Sequence, residues 1–159
     1  MPDPVVNASP LIVLAKAGLL EFLRLAGETV LVPAPVAAEL RAHRNDAGAR
    51  ALSNTPWLKI VVPPATPQWI AAWDLGAGES SVLAWAYANP GTRAILDDLA
   101  GRRCAQTASI HIRGTLGLIL LAKQRGKIGA ARPEVENLRK AGLYLSDTII
   151  NRALALVGE

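Results

Sequence analysis

Five oxygen-bearing side chains, Asn7, Glu39, Glu79, Asp97 and Asp98, fall at the ends of predicted strands or in the first turns of predicted helices. Hard divalent cations such as Mg²⁺ and Mn²⁺ take oxygen ligands of this kind, and phosphodiester hydrolysis without a nucleophilic side chain ordinarily relies on such cations. Glu79 and Asp98 equally suit the positive end of a helix, where a carboxylate opposes the dipole. Glu39 resists that explanation, because in Val36-Ala-Ala-Glu39-Leu40 it is closely flanked by apolar residues. A carboxylate beside an apolar face is costly without a partner. Other chemistries lack their residues: there is no Gly-x-Ser-x-Gly elbow, no Walker phosphate loop and no His-Glu-x-x-His pair. Gly76-x-Gly78 lacks a third glycine and a preceding strand, so it reads as a turn and helix start. His43, His111 and Cys104 are too few for a zinc site built on imidazole or thiolate. His111 is expected as a hydrogen-bonded core residue inside a strand, and Cys104 as a small buried hydrophobe. A phosphoacceptor site on Asp97-Asp98 would need a lysine on a facing strand, and no strand supplies one.

The elements that must position these residues alternate. Val5-Val6 reads as a strand that runs into Asn7 and then a helix, with Ser9 as N-cap, Pro10 at the first helical position and Leu11, Leu14, Ala15 and Leu19 at helical spacing. Asn7 thus stands just past the carboxyl end of a strand, where ligands bind in open α/β sheets. Further strands are expected at 29–32, 58–62, 93–96 and 110–113. Helices are expected at 36–43, 67–73, 79–88, from Asp97-Asp98 to about 107, and from Thr115, as cap, to Arg125. Such alternation implies a three-layer α/β/α sandwich with a central, mostly parallel sheet. Beyond about Gly129 the chain reads as a helical C-terminal extension in two pieces, divided by Gly142 and capped at Ser146. Its apolar face, Leu138, Leu143, Leu145, Ile149, Ile150 and Leu154, needs a partner surface, which suggests a homodimer or a bound partner. Core packing is the expected role of Trp57, Trp69, Trp73 and Trp85, with base stacking the alternative.

A chain of 159 residues with no internal repeat or long linker fits one domain spanning 1–159. Its single cysteine excludes an intrachain disulfide and suits a reducing compartment. Hydrophobic content of 51% and mean hydropathy of +0.26 raise the question of a membrane segment. The uncharged apolar stretch from Gly114 to Ala122 is about half the ~20 residues that a spanning helix needs. No secretory signal is visible, so the expected address is the cytoplasm, with no membrane contact. A net charge of +4 favours polyanionic partners. Arg41 and Arg44, the group from Lys123 to Lys127, and Arg102-Arg103 concentrate that charge; the arginines could track a phosphate backbone or simply be solvated.

Several pieces, taken together and in order, carry a family resemblance. They are Val5-Val6-Asn7-Ala-Ser9-Pro-Leu11, Val36-Ala-Ala-Glu39-Leu40, Leu75-Gly-Ala-Gly-Glu79-Ser80, Ile95-Leu-Asp97-Asp98 and Gly114-Thr115-Leu-Gly-Leu-Ile-Leu-Leu-Ala-Lys123. The chain resembles PIN-domain proteins, specifically a prokaryotic PIN-like subgroup known as predicted nucleic-acid-binding proteins. The resemblance implies acidic residues gathered at one sheet edge to hold Mg²⁺ or Mn²⁺, and a metal-dependent ribonuclease acting on RNA. A toxin held in check by an antitoxin protein is a common form. Glu39, Glu79 and Asp98 (or Asp97) match the second, third and fourth family acids, with Asp98 favoured and all acting as ligands directly or through water. Asn7 departs from the family aspartate. An amide oxygen can still coordinate, but it brings no charge. The alternative reading is therefore a weak or inactive module that binds nucleic acid or a partner.

Overall fold

The computed structural model describes residues 2–44 and 46–159. Its sheet is built from short strands, fully buried at the centre and more exposed towards the edges: β1 (Val5–Val6), β2 (Val30–Pro33), β3 (Leu58–Val61), β4 (Ala94–Ile95) and β5 (Ile112–Arg113). All five are parallel, in the order β3-β2-β1-β4-β5. Near-continuous apolar strands are what a sheet covered on both faces requires. β1 is central, with Val5 opposite Leu31 on one side and Ala94 on the other, and Val6 opposite Ile95. The order reverses between β1 and β4. Their carboxyl ends therefore lie side by side at the topological switch point, the usual ligand crevice of open α/β sheets.

Helices α1 (Ala8–Ala17), α2 (Ala34–Arg41), α3 (Ala47–Asn54), α4 (Gln68–Ala71), α5 (Ala77–Ala88), α6 (Leu99–Thr107), α7 (Thr115–Gln124), α8 (Arg132–Lys140) and α9 (Asp147–Ala155) complete the α/β/α sandwich. α5 packs on β1, β2 and β4, with α4 and α6 beside it; α1 packs with α3 and α8, and α7 with α8 and α9. The main core runs from Val5, Leu11 and Leu14 through Val82, Leu118 and Ile119 to Leu138, Ile150 and Leu154. A smaller core joins Ile70, Leu83, Leu96, Cys104 and Ala105. Burial pushes the Cys104 thiol pKa up, as a small apolar role requires.

Several expectations need correction. Helix α1 begins one residue after Asn7, which takes the N-cap position with extended backbone (φ −81°, ψ 167°). Ser9 is therefore the second helical residue and Pro10 the third. Gly114, rather than Thr115, is the N-cap of α7. β5 starts only at Ile112, so His111 lies outside the strand and is exposed. Trp57, Trp69 and Trp85 pack against the cores, whereas Trp73 remains 37% exposed. Helix α3 has no counterpart among the helices the sequence pattern predicts. The terminal helices are no appendage: Val135, Leu138, Ile150 and Leu154 are buried in the main core, so much of the face that called for a partner is covered by the chain itself. Among the described residues, no helix is long and apolar enough to cross a membrane.

Candidate metal and nucleic-acid site

Asn7 follows the central strand, and its backbone N–H donates to Ile95 O at 3.1 Å, which fixes it against the end of β4. An N-cap asparagine ordinarily accepts a bond from the second or third helical N–H. Here the third residue is Pro10, which has no N–H, and Asn7 makes no capping bond. The residue is 4% exposed, and Oδ1 is buried without a hydrogen-bond partner. Such an orphaned acceptor costs about 1–3 kcal/mol in a folded protein.

The space in front of that oxygen is kept open by a glycine. A Cβ on Gly78 would lie 3.2 Å from Asn7 Oδ1 and 3.1 Å from Glu39 Oε2, so both oxygens face one methyl-sized gap. Gly78 stands in the first turn of α5, and Glu39 on the exposed side of α2, which packs against α5. The expected apolar surroundings of Glu39 are thus only partly met. A cleft of about 300 Å³ is lined by Asn7, Ser9, Pro35, Glu39, Gly78 and Glu79. Glu79 Oε2 accepts the N–H of Gly76 at 2.9 Å, so one carboxylate oxygen holds the start of α5.

A second cleft, of about 330 Å³, shares Asn7, Ser9 and Glu79 with the first and adds Asp97, Asp98, Gly142, Leu143 and Tyr144. Asp97 is bound by Thr115 through both the backbone N–H and the hydroxyl. Asp98 is the N-cap of α6 and accepts the N–H of Gly101 at 2.8 Å. Arg102 comes to the same edge: a Cβ on Gly114 would lie 3.0 Å from Asp97 Oδ1 and 3.2 Å from an Arg102 guanidinium nitrogen. Arg103 is exposed on α6. Arg41 and Arg44 lie apart, lining a groove of about 410 Å³ with Arg50, Ser53 and Asn54.

The structure therefore brings Asn7, Ser9, Glu39 and Glu79 together, with Asp97 and Asp98 on the adjoining wall and Thr115 buried and bonded to Asp97. Among the described residues, no three of His, Cys, Asp and Glu converge tightly enough to hold a metal ion as they stand. The donor chemistry does fit a hard cation at one place, the gap shared by Asn7 Oδ1 and Glu39 Oε2, where the orphaned amide oxygen lacks any protein partner. Two residues were missed from sequence. Gly78 reads from the sequence as part of a turn, although a glycine inside a helix start can signal close approach. Tyr144 had a signal in the alternation Leu143-Tyr144-Leu145.

Oxygen donors stand at the switch point of an all-parallel sheet, beside the N-termini of α1, α5, α6 and α7, in an α/β/α protein. A family model described as a PIN domain matches residues 3–159, and the chain belongs to that family. No curated protein and no solved structure matches it.

Proposed function

We propose that the protein is a metal-dependent endoribonuclease whose activity is attenuated by the amide at Asn7. The observation that carries this reading is the buried, unpartnered Asn7 Oδ1 facing the same gap as Glu39 Oε2. Asn7, Glu39 and Glu79 would hold Mg²⁺ or Mn²⁺, with Asp98 or Asp97 contributing from the adjoining wall. Such a cation supplies activation of water for in-line attack and neutralises charge on the phosphoryl oxygens. The chain's own part is positioning. The helix N-termini and Arg102 attract the phosphate, Glu79 is fixed by Gly76 N–H, and Asp97 by Thr115. Arg41 and Arg44, in their separate groove, would offer the RNA strand a second cationic contact.

The test is Mn²⁺-dependent cleavage of single-stranded RNA. Glu79→Gln keeps an acceptor for Gly76 N–H but removes the charge, and it is expected to lower the rate about ten-fold or more. A double variant, Glu39→Gln with Glu79→Gln, that cleaved as well as the wild type would overturn the proposal. The neutral Asn7 and the lack of three converging acids favour a second reading, a binding module without catalysis. Calorimetry with Mn²⁺ separates the two: tight binding speaks for the nuclease, and no binding at millimolar metal for the module. A toxin role and a homodimer extend the first reading. Inhibition by the product of a short upstream reading frame tests the former, and sedimentation the latter.

A further inference from the structure

Tyr144 is 94% exposed, more than any other large apolar side chain described. Its exposure is built in. The segment between α8 and α9 leaves Gly142, at φ +115°, in a conformation that glycine tolerates best, and then alternates: Leu143 and Leu145 pack against the main core on either side of Tyr144. Leu143 N–H donates to Leu138 O at 3.0 Å, and Ser146 caps α9 by accepting Ile149 N–H. Two anchored leucines therefore hold the ring outward. Among the described residues, it has neither an aromatic nor a hydrogen-bonding partner.

The position of this ring is specific: it lines the same cleft as Asn7, Glu79, Asp97 and Asp98. A planar aromatic held beside that cleft suits a nucleobase, whose π-face stacks whatever the sequence. We infer that Tyr144 is the stacking platform for an unpaired base of the RNA strand lying in the acidic cleft, which restricts the substrate there to single-stranded RNA. The inference rests on the nuclease reading for the identity of the strand. Packing of the main core does not need the ring, so its removal leaves the fold intact.

A short single-stranded oligoribonucleotide carrying one 2-aminopurine is titrated with wild type, Tyr144→Phe and Tyr144→Ala in Ca²⁺, and cleavage is measured in Mn²⁺. Wild type and Tyr144→Phe are expected to quench the 2-aminopurine on binding. Tyr144→Ala is expected to lose the quench and bind about ten-fold more weakly, with KM raised more than kcat is lowered. If the wild type cleaves and Tyr144→Ala binds and cleaves equally well, the inference fails while the nuclease reading stands. If binding depends on Tyr144 but no protein cleaves, the inference stands and catalysis fails. If the wild type binds no RNA, both fail.

Discussion

Thr115 engages both oxygens of Asp97: its backbone N–H donates to Oδ1 at 2.7 Å and its hydroxyl to Oδ2 at 2.5 Å. This pair ties the end of β4 to the start of α7, and Thr115 is fully buried. Asp98, one residue on, spends Oδ2 on the N-cap of α6. Hydrogen bonds to a charged group are worth more than neutral ones, and unpaired buried donors cost more than exposed ones. Asp97→Ala should therefore destabilise the protein by about 2–3 kcal/mol and Thr115→Val by about 1–2 kcal/mol. Asp98→Ala should cost only about 1 kcal/mol, the usual value of an N-cap. Urea unfolding of the three variants ranks them; a larger cost for Asp98 than for Asp97 would reverse the assignment.

Glu159 pins the start of α8. Its carboxylate accepts Ala131 N–H at 2.6 Å and Arg132 N–H at 3.0 Å, with Lys123 Nζ 3.6 Å away. The bond from Ala131 foremost, then that from Arg132, holds its pKa below the ordinary glutamate value, with Lys123 helping and burial opposing. A depressed folded-state pKa stabilises above the unfolded value of about 4.3. That contribution is lost as pH falls through the folded pKa. Wild type should exceed Glu159→Gln in stability at neutral pH, and the difference should close on acidification below that pKa. Chemical unfolding followed across pH checks this, and parallel curves for the two proteins would count against it.

The strands, the alternation and the oxygen donors were legible because β-branched runs and their helical successors carry strong periodicity. What failed follows from geometry that a linear pattern does not contain. Ser9-Pro10 resembles a cap and first turn, but the extended backbone of Asn7 moved the cap two residues back and left its amide without the usual donor. Helix α3 packs so closely on α1 and α2 that a Cβ on Gly48 would lie 2.9 Å from side-chain atoms of both Ile12 and Leu40. Close approach demands small residues, and small residues leave little hydrophobic signal. The meeting of Asn7 with Asp97 depends on strand order, because only the placement of β4 beside β1 makes their ends neighbours. Glu79 and Asp98 both accept backbone N–H bonds at helix starts, which agrees with the dipole reading of both residues.

Gly78 separates stability from function. Alanine in place of glycine inside a helix ordinarily stabilises by roughly 0.5–1 kcal/mol. The new methyl would press on Glu39, which is exposed and can swing away, and on Asn7, which is buried and cannot. Gly78→Ala should therefore change stability by less than about 1 kcal/mol while lowering Mn²⁺ affinity about ten-fold, because it fills the gap between the two oxygens. Thermal unfolding and calorimetry on one preparation give both numbers. Unchanged metal affinity would place the cation elsewhere.

Asn7→Asp tests the amide directly, and its two effects have opposite signs. Without metal, it puts a carboxylate in a position only 4% exposed, across the gap from Glu39. A buried charge without a partner either destabilises, by about 3 kcal/mol, or takes up a proton. With metal, the added charge should raise Mn²⁺ affinity, and a hundred-fold gain would restore about 2.7 kcal/mol at saturating ion. The variant should then melt below wild type in chelator and gain more from Mn²⁺ than wild type does. Asn7→Ala is the control. It removes the orphaned acceptor, so it should not lose stability by that route, and it should abolish the Mn²⁺ response. If Asn7→Asp lowers stability in chelator yet responds to Mn²⁺ no more than wild type, residue 7 is not a ligand, and its buried oxygen is simply an unpaid cost of placing Pro10 in the first turn.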